Sequence, residues 1–167
     1  PGLRPDEPTG LWFASVPDGK VRRLEALGDG VDDVVWDPDG RTVWLLGPAD
    51  IQEGDAWRSS LWRTKLSKRG KARGRLERVA AGLTSPAGLA VASDGRRVAW
   101  LAPADPEALS APTGLWSVAA DGDAPELLTA PDLDAAPSVG GDTRHGSLPN
   151  RPVAHPDGWL LVVNREG

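Results

Sequence analysis

The feature that most constrains this chain is a phrase written three times. VVWDPDGRTVWLL from Val34, LAVASDGRRVAWLA from Leu89 and RPVAHPDGWLLVVN from Arg151 each hold an apolar run, a tight turn on Asp-Gly and a second apolar run. Their turn glycines, Gly40, Gly95 and Gly158, lie 55 and 63 residues apart. A second phrase interleaves with the first: TGLWFASVPDGKVRRLEAL, SSLWRTKLSKRGKARGRLERVA and TGLWSVAADGDAPELLTA. Its tryptophans, Trp12, Trp62 and Trp116, are 50 and 54 residues apart. Two phrases alternating at one shared period are a single structural unit repeated, and a period of this size belongs to repeat architectures.

Each phrase reads as a β-hairpin. Val34-Val35-Trp36 and Val43-Trp44-Leu45-Leu46 are rich in β-branched and aromatic residues, which suit a pleated, half-buried surface. Asp-Gly between them supplies the positive φ that a tight hairpin turn needs. The second phrase alternates apolar Leu11, Phe13, Leu61 and Leu115 with more polar neighbours and turns at Asp18-Gly19 and Asp121-Gly122. Two hairpins per repeat make a four-stranded antiparallel meander, the blade of a β-propeller. The first phrase supplies strands a and b near the axis, the second strands c and d toward the rim.

The predicted fold is therefore all-β: a partial β-propeller of about three blades' worth of four-stranded antiparallel meanders. After a leading segment, 1–9, the propeller part runs over 10–167: strands c-d in 10–28, a blade in 31–82, a blade in 86–130, a long loop over 131–149 and strands a-b in 150–167. Because roughly four to eight blades close a ring, the expectation is that further strands of the same polypeptide complete it at both ends. Assembly of copies is the lesser route. Trp36, Trp44, Trp100 and Trp159 on a and b, and Trp12, Trp62 and Trp116 on c, are read as core between blades. Trp57, in GDAWRSS, is claimed by no strand pattern.

Composition narrows the partners. A net charge of -5 over 167 residues gives no dominant basic surface to neutralise phosphates, so no nucleic-acid partner is expected. The one basic stretch, KLSKRGKARGR from Lys65 to Arg75, reads as a solvated turn between strands. The absence of cysteine removes disulfides, thiol catalysis and Cys-ligated metals together. No apolar run approaches the roughly 18 residues that cross a bilayer, and no membrane partner is expected. No signal peptide is visible, but the chain opens on Pro1 without any Met, so compartment is not read from that.

With those residues in view, WDPDGRTVWLLG and ASDGRRVAWLAP, each followed by Leu-Trp and a hairpin ending in ELLT or RRL, resemble the propeller of the prolyl oligopeptidase family. The likeness is greatest to its acylaminoacyl-peptidase and dipeptidyl-peptidase-like branches, and TolB-like propellers share almost the same phrase. It covers roughly 10–167, with HPDGW for the usual SPDGR in the last copy and SKRGKARGR for a short c-d turn. The resemblance implies one of two functions. In the first, the chain is the non-catalytic propeller portion of a serine peptidase, cytoplasmic, gating peptide substrate toward an α/β-hydrolase domain on the same or a second chain. In the second, it is a TolB-like propeller that binds a protein partner without catalysis. A metal-bearing propeller lactonase is a weaker third, since the a strands lack convergent Glu, Asn and Asp.

No catalytic, cofactor-binding or metal-ligating residue is assigned. The G-x-S-x-G nucleophile elbow of α/β-hydrolases is absent. His145 lies near Asp142 and Ser147, but triad members meet by tertiary folding rather than by adjacency, and a polar surface loop is the expectation. His155 reads as a turn residue capping its hairpin through a side-chain hydrogen bond. Asp29, Asp32, Asp33, Asp37 and Asp39, and Asp132, Asp134 and Asp142, match no calcium loop and read as turn formers. The long b-c connections (about 47–59 and 103–113) and the last d-a link (about 131–149) emerge on one face, where binding residues are expected.

Overall fold

The computed structural model describes residues 10–16, 18–24, 30–48, 58–67, 70–122, 124–135 and 151–163. Among them there is no helix. Twelve strands follow in order: β1 (Trp12–Ala14), β2 (Val21–Arg23), β3 (Asp33–Trp36), β4 (Thr42–Pro48), β5 (Arg58–Leu66), β6 (Ala72–Thr84), β7 (Ala87–Val91), β8 (Arg97–Pro103), β9 (Thr113–Ala119), β10 (Glu126–Leu127), β11 (Val153–His155) and β12 (Gly158–Leu160). They form four sheets with consecutive strands paired, β1-β2, β3-β4-β5-β6, β7-β8-β9-β10 and β11-β12, and every pairing is antiparallel.

The turn chemistry acts where the sequence places it. Gly40 and Gly95 take φ of 63° and 71°, a region a side chain enters only under strain. Gly95 is held for a second reason: a Cβ there would stand 3.2 Å from the Asp37 carboxylate of the neighbouring blade. Asp37 accepts the Asp39 N–H at 3.0 Å and the Trp44 indole N–H at 3.0 Å. In the last copy His155 Nδ1 accepts the Asp157 N–H at 3.2 Å, so the imidazole caps its turn as Asp37 does.

Three apolar layers separate the four sheets, and strict alternation along the b and c strands builds them. On β4, Val43 and Leu45 pack with Leu11, Phe13 and Leu24 of the first hairpin. Their alternates, Trp44 and Leu46, pack with Leu89, Val98 and Trp100 of the next blade. On β8, Ala99 and Leu101 turn instead toward Trp159 and Leu161. The Leu-Trp pair of the c strands follows one rule: Leu11, Leu61 and Leu115 face the following sheet, while Trp62 and Trp116 face the preceding one.

That rule corrects the reading of all seven tryptophans as core. Trp44 and Trp100 are each 1% exposed, but Trp12 is 59% and Trp36 47% exposed. Trp12 points to the face of the first hairpin that meets no other sheet among the described residues. Trp36 shares a face with Val43, but the hairpin packed there offers two strands to a four-stranded sheet. Trp57 lies outside the described residues.

The innermost strands sit closest together, β3 against β7 and β7 against β11, as strands converging on an axis must. Asp33 ties three units there: its carboxylate accepts the Leu89 N–H at 2.8 Å and the Arg151 guanidinium at 2.5 Å. The long connection after β8 is not a free loop. Thr84 donates to the Pro106 carbonyl at 2.8 Å, and Arg58 lies 3.6 Å from Glu107, so it clasps the preceding blade.

Candidate functional site

In an up-and-down meander the a-b and c-d turns emerge at one end of the blade and the b-c and d-a links at the other. The sequence points to the second end. Its described parts are largely structural: the 104–112 connection clasps a blade, Asp134 accepts the Thr113 N–H at 2.9 Å, and Ala135 is fully buried. Most of the remaining long-loop residues lie outside the described residues, as do Asp29, Asp142, His145 and Ser147.

Two concavities open at the first end. Between the two four-stranded blades lies a charged cleft of about 500 Å³, bordered by Asp37, Asp39, Arg63, Glu77 and Asp94. Its anchor is Arg63, whose fork meets Glu77 with Nε–Oε2 at 2.8 Å and Nη2–Oε1 at 2.9 Å. The same guanidinium donates to the Ala120 carbonyl across the blades and lies 5.7 Å from the Trp44 ring centroid. The bidentate hydrogen bond from Arg63 lowers the Glu77 pKa, and Glu77 in turn raises that of Arg63.

Asp39, at the cleft margin, accepts the Arg41 and Thr42 N–H groups, each at 2.7 Å, and the Thr42 hydroxyl at 2.8 Å. Partial burial works against its charge, yet these hydrogen bonds, helped by Lys65, outweigh it and hold the carboxyl below its ordinary pKa.

Beside the cleft, at the turn end of β5 and β6, is a groove of about 690 Å³. Exposed Arg41, Lys65, Lys71 and Arg73 line it around a floor of buried Leu66. The β4-β5 ladder brings Arg41 to this place: the Leu66 N–H bonds the Arg41 carbonyl at 2.7 Å, and Thr42 pairs with Lys65. The basic stretch joins β5 to β6 with its described cations exposed, as a solvated turn between strands would have them, and it carries six cations without one acid between Lys65 and Arg75 in an acidic chain. Arg41 carried no sequence signal, because only strand pairing delivers it. A smaller apolar recess of about 220 Å³ lies between Leu83, Trp100, Pro106 and Trp116.

Among the described residues the aspartates have separate structural partners. Asp37 and Asp39 serve their own turn, Asp32 accepts the Ser59 hydroxyl at 3.1 Å, and Asp33 joins blades. Among the described residues, no group of three His, Asp or Glu could hold a metal ion.

This is the architecture of blades in a β-propeller. No protein-family model matches the chain, and no curated protein matches it. Among solved structures it is similar to the crystal structure of TolB from Acinetobacter baumannii, with a TM-score of 0.58 at 14% identity. The match covers 92% of this chain and 34% of that one, so the chain spans about a third of that protein's length. The likeness is one of fold, that of a TolB-like propeller.

Proposed function

We propose that this chain is part of a propeller binding module that holds a protein partner on its surface and performs no chemistry itself. The observation that carries this reading is the turn end of the first blade. There a concavity of about 690 Å³ is lined by exposed cations on a scaffold fixed by buried inter-blade layers. Binding residues on a rigid β scaffold are how such folds acquire function. The fold likeness to TolB favours this arm of the resemblance. The serine-peptidase arm rests on the blade phrases alone and would place its chemistry in polypeptide other than this chain.

The test is direct. The purified chain, incubated with chromogenic acyl-peptide and dipeptidyl substrates, should give background rates while retaining saturable binding to a protein partner. Turnover that co-purifies with the chain and disappears in Ser147→Ala would replace this reading with a hydrolytic one.

A further inference from the structure

Beside Arg78, which lies over the Trp62 ring, two groups of cations stand out among the described residues. Lys20, Arg58, Arg63, Arg96, Arg97 and Arg151 each sit against a carboxylate. Arg41, Lys65, Lys71, Arg73 and Arg75 form no ion pair among the described residues, although the chain is acidic overall. All five are exposed and gather at the turn end of β4, β5 and β6. Lys65 does no more than act through space on Asp39.

This arrangement works against the fold. Lys65 and Arg73 are direct partners in the β5-β6 ladder, and like charges placed opposite each other across strands are destabilising. A cost that no ion pair offsets among the described residues points to an opposite charge supplied from outside. The 690 Å³ groove and the 500 Å³ cleft share Lys65 and Arg73, so they adjoin along one trough, and each part is larger than a lone inorganic anion needs and within the range of ligand-holding sites. The cleft half also carries Asp37, Asp39 and Asp94. A uniformly charged phosphate backbone would meet those carboxylates, whereas a peptide can place its acids only where the cations are. Arg41 and Arg73 present planar forks suited to paired carboxylate oxygens.

We propose that the trough at the turn end of β5 and β6 binds an extended acidic segment of a protein partner, with its carboxylates on Arg41, Lys65, Lys71 and Arg73. This rests on the binding-module reading and names the chemistry of the partner. The same cations repel the matching surface of a second copy.

Fluorescence anisotropy with a short labelled peptide alternating Glu and Ser tests it, beside a twin in which Gln replaces Glu. The acidic peptide should bind saturably and weaken as salt rises. The double variant Lys71→Glu with Arg73→Glu should weaken it by about tenfold or more, as expected for reversing two exposed pairs. Lys71→Ala with Arg73→Ala should give a smaller loss, and Lys20→Glu, on the first hairpin, no change. Unchanged melting temperatures would assign these losses to the trough rather than to unfolding. Equal binding of the Gln twin, or of the charge-reversed variant, overturns the proposal, as does tighter binding of a single-stranded oligonucleotide of equal charge. A protein partner that binds wild type and charge-reversed variant alike overturns the trough while leaving the binding-module reading intact. Hydrolytic turnover removes that reading instead.

Discussion

At the scale of the residue, what a tryptophan does here depends on whether a sheet lies over it. Trp100 and Trp116 are ladder partners on one face of their blade, and Trp100 is 1% exposed in the layer shared with Trp44 and Leu89. Trp100→Ala is expected to cost roughly 3–5 kcal/mol, the lost transfer plus the cavity. Trp12→Ala, at 59% exposure, should cost less than about 1 kcal/mol. Urea unfolding of the two variants against wild type measures the contrast, and equal losses would refute the inter-blade assignment.

At the scale of the element, the DPDG turn between β3 and β4 is held by a charge. Asp39 gathers two backbone N–H groups and one hydroxyl, and its pKa is lowered. A carboxyl depressed in the folded state contributes stability above its unfolded pKa, and loses it as pH falls through the folded value. Asp39→Asn keeps the side chain's shape and removes the charge. The melting temperature of wild type should therefore exceed that of Asp39→Asn at neutral pH, and the gap should close as the solution is acidified below the ordinary carboxylate range. A gap that stays constant from neutral to strongly acidic pH would show that the charge does not hold the turn.

At the scale of the whole molecule, two apolar surfaces meet water. Trp12 (59%), Val21 (61%) and Trp36 (47%) are exposed around the first hairpin and the face it partly covers. Val153 (57%) and Leu160 (62%) are paired on the outer face of the last hairpin. Exposed large apolar side chains of this kind favour association, and short hairpins add open hydrogen-bonding edges. The 167-residue chain is expected to self-associate with rising concentration, and Val153→Lys with Leu160→Lys to reduce it. Light scattering across a concentration series decides; a monomer at every concentration contradicts the expectation.

The sequence by itself determined the strand order, the hairpin turns and the blade architecture, because these signals are local. A short apolar run rich in β-branched and aromatic residues marks Val43 to Leu46 as a strand, and Asp39-Gly40 demands its turn wherever the hairpin goes. It also determined that His155 caps its hairpin, since the cap lies within the same turn. Only the tertiary structure decided which faces are covered. Trp12 and Trp116 occupy the same place in their repeats, and they differ because, among the described residues, a neighbouring sheet packs on Trp116 and none on Trp12. It alone decided that Asp33, which reads as a turn former, joins three units across the axis. The trough was decided at both levels: the run of cations from Lys65 to Arg75 is written in the sequence, but Arg41 reaches it only through the pairing of β4 with β5. Local chemistry fixes what a strand is; the partners it meets across space fix what its side chains do.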